Sequence, residues 1–402
     1  SSSSSSSSPP QSACSSGEAM SEPCPRRSSL DMSDFDLLEP DEDARFTNPA
    51  PTVRSLFSFP SLQTQHSTPQ MASQITTKEL RFRQKRAVTQ FLGDFGSRVW
   101  FTYRSSFPRI RPSSLTSDLG WGCMIRTAQM MVCEAFVCHF LGRGWRMQGA
   151  DIAEFSMHLQ LIRWFGDSPS PLAPYSIHNV TRLGARFNKK IGECFEPSQV
   201  ARCFKILVRK HRPGNITMYA PRDAVISLAE LKSLCQGEEP SKAWRPVILM
   251  LSVRLGIDQR VNPAYIPALK SFLTLPQSIG IVGGKPNQSL WFVAFQDDHV
   301  MYFDPHLVQD SLDVEGDTFD PRSYHWRYPQ KMLFRDMDPS LAVGFFCADR
   351  TQVEDLCTFI QSFNASSSAP VFSVIEDHVD PSDEHRFESD ELDLLPSLSR
   401  DF

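Results

Sequence analysis

The 402-residue chain has no apolar run long enough to span a bilayer, which excludes a helical membrane protein. The opening serine run carries neither the basic segment nor the apolar stretch of a secretory signal, so none is expected. Positive charge is not in excess either. The 41 Lys and Arg stand against 46 Asp and Glu, and the formal net charge of −5 gives nucleic acid no footing as the main partner. The 10 cysteines are scattered and none forms a CxxC pair, which excludes zinc fingers and a compact disulfide framework. Reduced thiols and a cytoplasmic setting are therefore the expectation. GxSxG, GxxxxGK[ST] and HExxH are all missing, and no metal or organic cofactor is called for.

What is present is apolar and aromatic: 41% hydrophobic and 11% aromatic residues, enough for a sizeable core. The distribution is uneven. Residues 1–77 are rich in Ser, Pro, Gln and Thr and read as a disordered tail, with Arg26-Arg27-Ser28-Ser29 as a candidate phosphorylation string. Residues 365–402 turn Ser-rich and then acidic and read as a second disordered tail. Between them, residues 78–364 form the expected folded domain. Lys78–Tyr103 holds apolar residues at helical spacings, and Met124–Leu141 is apolar almost all round, the pattern of a buried helix stopped by Gly142. Further helices are expected at Pro197–Arg209 and Pro263–Leu273. Short β-branched and aromatic runs at Val247–Arg254, Ser278–Val282, Leu290–Phe295, Val300–Asp304 and Ala342–Cys347 read as strands, with a hairpin turn at Gln296–His299. Thr351 and Glu354 predict a capping box opening a last helix, Thr351–Phe363. Helices first and adjacent strands later point to an α+β domain with an antiparallel sheet.

Two stretches hold candidate chemistry. In "SDLGWGCMIRTAQMM", Gly120 and Gly122 permit a sharp turn and a helix begins at Cys123. A thiol there meets the positive end of the helix dipole and unpaired N–H groups, which favour a thiolate and suit an oxyanion. Trp121 would shield one side. The same local pattern also fits a buried structural cysteine, and Cys133 and Cys138, inside the apolar helix, read as structural. A thiol nucleophile needs a base, and the base an orienting group. "YFDPH" offers both: Asp304 and His306 lie two apart in an extended segment, on one face, with Pro305 keeping the chain extended. An ordinary strand-end turn is the plain alternative. "IVGGKPNQ" reads as a flexible loop or lid next to this strand.

Taken together, "WFTYRSSFP", "LTSDLGWGCMIRTAQMM", "LPQSIGIVGGKPNQS", "YFDPH" and "DPSLAVGFFC" resemble the autophagins, cysteine proteases that process a ubiquitin-like autophagosome modifier. The resemblance runs from about Leu80 to Phe363. It implies a papain-like fold with a small extra subdomain. It also implies Cys123 as nucleophile, His306 as general base and acid, Asp304 orienting His306, and Tyr103 binding the oxyanion. Gly283, Gly284, Lys285, Pro286 and Asn287 would form a lid over the substrate tail, and Arg254 would touch substrate. The implied reaction is hydrolysis after the modifier's C-terminal glycine, either trimming the precursor or cleaving the phosphatidylethanolamine amide. Contact with the autophagosomal membrane would be transient and through the substrate. One departure stands out: the family's "IGQWYGP" is "IGECFEP" here, with Cys194 in place of a tryptophan.

Outside the core, Phe372-Ser373-Val374-Ile375 followed by two acids resembles a short segment that binds the modifier by strand addition, Phe372 and Ile375 filling two pockets. Phe35–Leu38 is a second such candidate. These tails and Cys194 motivate the competing reading, an inactive or autoinhibited relative that only binds the modifier.

Overall fold

The computed structural model describes residues 77–236, 243–285, 288–316 and 319–376. Eight helices run α1 Thr77–Ser97, α2 Cys123–Phe140, α3 Ile152–Arg163, α4 Ile177–Gly184, α5 Pro197–His211, α6 Leu228–Gln236, α7 Ile266–Thr274 and α8 Arg350–Ser366. The strands are β1 Tyr103–Ser105, β2 Thr217–Tyr219, β3 Val225–Ser227, β4 Val247–Arg254, β5 Ser278–Lys285, β6 Gln288–Gln296, β7 His299–Phe303, β8 Val308–Asp310, β9 Gln330–Leu333, β10 Ser340–Cys347 and β11 Ser373–Ile375.

Seven strands form the central sheet in the order β2-β4-β10-β5-β6-β7-β9. Its pairs are antiparallel except at one end, where β2 runs parallel to β4. The expected antiparallel sheet thus takes a parallel strand at that end: β2 enters from α5 and returns through α6, a connection long enough for a parallel pair. Two small parallel pairs, β1 with β8 and β11 with β3, stand apart from the main sheet.

Both faces of the sheet are covered, which explains why its strands read as continuous apolar runs. Along β4, Ile248 and Met250 join one core, with residues of α2, α4 and α5, while Val247, Leu249 and Leu251 join the other, with residues of α7 and α8. The α2 helix is buried through Val137 and lies close against the sheet. Gly344 of β10 allows the approach, because a Cβ there would meet Met131 Sδ of α2 at 2.5 Å. Two buried polar groups of α2 are paired across the core: Gln129 Nε2 donates to the Tyr175 carbonyl at 2.9 Å, and Glu134 pairs with Arg98.

Three expectations are corrected. The cap of α8 is Asp349, whose carboxylate accepts the Gln352 N–H at 2.9 Å, while Glu354 pairs with Arg350. An acidic side chain just before the first turn thus takes the role expected of Thr351. Gly283 and Gly284 lie in β5, Gly284 opposite Ser289, not in a flexible loop. The close packing there admits no side chain: a Cβ on Gly283 would collide with Leu341, and one on Gly284 with the Gln288 carbonyl. Finally, the folded chain continues past residue 364. Phe372 is 1% exposed, its ring 5.2 Å from that of Phe272, and β11 follows it. Its apolar ring reaches the core under α7 and α8 instead of standing free on a tail.

The Arg26–Ser29 string, the Phe35–Leu38 motif, the rest of the N-terminal tail, Pro286, Asn287 and the acidic stretch beyond Glu376 lie outside the described residues. Among the described residues no helix is long and apolar enough to cross a membrane, and no cluster of His, Cys, Asp or Glu could hold a metal ion.

Candidate active site

Cys123 is the first residue of α2, capped by Gly122 with no side-chain cap. Its amide and those after it therefore point at the turn before the helix. That turn needs Gly120, whose φ is +85°. Across from it, the chain leaving β7 carries Asp304 and His306. The Asp304 carboxylate accepts from the His306 backbone N–H at 2.9 Å and meets Nδ1 at 2.5 Å. The Trp100 indole donates to the Asp304 carbonyl at 2.8 Å and the Tyr103 amide to the Pro305 carbonyl at 2.9 Å, so β1 and the residues just before it anchor the segment. The Tyr103 ring stands edge-on to the His306 ring, centroids 5.4 Å apart and planes at 89°.

The electrostatics couple these groups. Burial alone would push the Cys123 thiol up, but the His306 imidazole, the Ser289 backbone and the Tyr103 hydroxyl outweigh it, and the thiol lies below its ordinary value. Burial would lower His306, yet the Asp304 carboxylate and the Cys123 sulfur raise it to about 9. Asp304 is held below the usual carboxylate value: burial opposes this, and the hydrogen bond and charge of His306 overcome it, with help from Lys285. His306 Nε2 has no other hydrogen-bond partner, which leaves it to the Cys123 sulfur that helps raise its value. Burial, then the Cys123 charge, push the Tyr103 phenol up, so it stays a donor. A thiolate beside an imidazolium, with helix N–H groups and a phenol at hand, can attack a carbonyl and stabilise the oxyanion that forms.

The model of the peptidase C54 catalytic domain matches residues 88–359. The chain belongs to the peptidase C54 family. It is 35% identical to cysteine protease ATG4A of Oryza sativa subsp. indica over 76% of this chain and 69% of that one. It is 34% identical to cysteine protease ATG4B of Xenopus laevis over 77% and 84%, and 31% identical to cysteine protease ATG4A of Mus musculus over 73% and 79%. As a C54 chain it is a cysteine peptidase of α+β, papain-like fold, with the cysteine-bearing helix against the sheet.

Other expected residues fall at varied distances from this centre. Trp121, two residues before Cys123, is buried, its indole donating to the Ser117 carbonyl at 3.1 Å. Lys285 is exposed at the end of β5. Arg254 sits opposite Ser340 at the same end of the sheet as Gly283, and its guanidinium is occupied by Ser340 Oγ at 2.8 Å and the Ile257 carbonyl at 3.2 Å. Cys194 lies beside the turn, Sγ 3.8 Å from the Gly120 carbonyl. Burial, then the Cys123 charge, push its thiol up. Phe372 is in the core and Ile375 on β11, neither presented as a free motif.

Sequence reasoning missed Trp100 and Ser289. Ser289 packs β6 onto the first turns of α2, its hydroxyl 2.7 Å from that of Thr127. Neither leaves a local signal, since each acts across a contact between distant segments. Asp118 and Arg126 were also missed, although the "SDLGWGC" stretch displays the first openly.

Proposed function

We propose that this C54 chain hydrolyses the bond after the C-terminal glycine of a ubiquitin-like autophagy modifier, trimming its precursor and releasing it from phosphatidylethanolamine. The observation that carries the reading is the mutual coupling of Cys123, His306 and Asp304 beside Tyr103. The Cys123 thiolate attacks the glycine carbonyl. The Tyr103 hydroxyl and the N–H groups at the start of α2 hold the oxyanion. His306, kept protonated by Asp304, gives its proton to the departing amine, whether peptide or lipid headgroup. It then takes a proton from the water that hydrolyses the thioester. A glycine at the cleaved position suits a passage walled by Trp121, since it brings no side chain. Membrane contact would come through the lipid-linked substrate.

The competing reading, a relative that binds the modifier without cutting it, leans on Cys194 and the tail motif. The burial of Phe372 counts against it. Incubation with a modifier bearing residues past its glycine, beside a Cys123→Ala variant, decides between them. Cleavage by the unaltered chain alone supports the proposal. No cleavage by either rejects it, and cleavage by both rejects Cys123 as nucleophile.

A further inference from the structure

We infer that Asp118 is a positioning residue that clamps the strand carrying Tyr103 to the first turn of the helix carrying Cys123. The inference deepens the proposed peptidase function and rests on it.

Asp118 is fully buried and uses every polar atom it has. Its Oδ1 accepts the Arg104 backbone N–H at 2.7 Å, one residue from Tyr103. Its Oδ2 accepts from Arg126 Nε at 2.7 Å, one turn into α2 from Cys123. Its carbonyl accepts the Trp121 and Gly122 N–H groups at 3.2 and 2.9 Å, and its own N–H donates to the Arg104 carbonyl at 3.3 Å. Arg126 is fixed in turn by Asp167 at 2.7 Å and Gln129 at 3.2 Å. The carboxylate fills the space over the turn, because a Cβ on Gly122 would collide with it.

One side chain therefore joins three segments: β1, the Gly120 turn and α2. A buried ion pair adds little net stability over well-packed apolar residues, but no apolar residue could accept the Arg104 amide and the Arg126 guanidinium together. What the pair supplies is relative position. Both the oxyanion-binding phenol and the thiol are next to atoms that Asp118 holds, and β1 pairs with β8 just after His306. The carboxylate also belongs to the surroundings that keep the Tyr103 phenol protonated.

Asp118→Asn tests this. An amide has one acceptor and one donor face, so it can satisfy Arg104 or Arg126 but not both. Three readouts are taken on purified variant and unaltered chain: thermal unfolding, kcat and KM on an extended modifier, and the pH profile of Cys123 alkylation by iodoacetamide, followed on the Cys123 peptide by mass. Positioning predicts kcat lower by about tenfold or more with KM within about twofold, and an alkylation profile moved to higher pH. A lower unfolding temperature with unchanged kcat and unchanged alkylation profile overturns the inference in favour of a purely structural role. If Asp118→Asn does not fold, Gly122→Ala, which displaces the carboxylate without removing it, is read the same way, and unchanged values there overturn it. The alkylation readout needs no substrate. Failure of the unaltered chain to cut the modifier rejects the proposed function, while the alkylation comparison still decides the role of Asp118.

Discussion

Truncating Phe372 to alanine removes a ring that is 1% exposed and lies 5.2 Å from Phe272, which also meets Phe345 at 5.9 Å and Phe363 at 6.2 Å. The change opens a cavity between α7, α8 and β10 and loosens the segment whose Phe372 carbonyl accepts from Asn364 Nδ2 at 2.6 Å. Buried Phe→Ala changes cost about 3–5 kcal/mol. The segment closes the edge of the core and can partly collapse, so the lower end, about 3 kcal/mol, is expected. In a domain of this size that lowers the unfolding temperature by roughly 6–12 °C. Ile375, 36% exposed on β11, is the control, and its alanine variant should lose less than about 1 kcal/mol. Urea unfolding followed by tryptophan fluorescence, with thermal scans, measures both. Equal effects of the two variants, or a Phe372→Ala loss below about 1 kcal/mol, would refute the burial argument and restore Phe372 as an exposed anchor.

Other predictions follow from the electrostatics and the tight glycines. Activity should be bell-shaped in pH, rising as Cys123 ionises below its ordinary value and falling as His306 loses its proton near pH 9. Because the folded His306 value lies above the unfolded 6.5, its contribution to stability is complete below about 6.5 and is lost as pH rises through about 9. Asp304→Asn removes the main group that raises His306, so the alkaline limb should move down and kcat fall by about a hundredfold or more; initial rates from pH 6 to 10 test this, and an unmoved limb sinks the assignment of Asp304. Gly284→Ala forces a methyl against the Gln288 carbonyl and should cost at least about 2 kcal/mol in urea unfolding; a neutral result would mean that β5 and β6 are not paired as described. His158 and His325 face each other Nε2 to Nε2 at 3.0 Å and are lowered by burial to about 3 and about 4. Their unfolded forms bind protons first, so stability falls as pH drops below about 6.5, and His158→Gln should flatten part of that fall in urea midpoints at pH 7 and 5, an unchanged slope arguing against the buried pair.

What could be read from the sequence was local. The apolar surround of α2, the Pro that opens α5, and the two-residue turn between β6 and β7 each carry their signal within a few residues. Asp304 and His306 belong to this class, since two residues of extended chain bring them together. The parallel pairings do not. Nothing near Tyr103 announces Val308, and nothing near Val225 announces Ser373. The Phe372 motif misled for the same reason: an aromatic followed by an aliphatic and acids looks alike whether its partner is another protein or the inner face of its own α7. The cap of α8 shows competition at close range, where Asp349 is the better acceptor than Thr351.

The proposed nucleophile and its base come from opposite ends of the chain's order. Cys123 starts a helix in the first half, and His306 follows a strand in the second. Synthesis proceeds from the N-terminus, so the thiol emerges long before the imidazole proposed to activate it. Before β7 joins the sheet, Cys123 lacks the His306 that lowers its value in the fold. On the proposed mechanism, reactivity is thereby deferred to the completed fold.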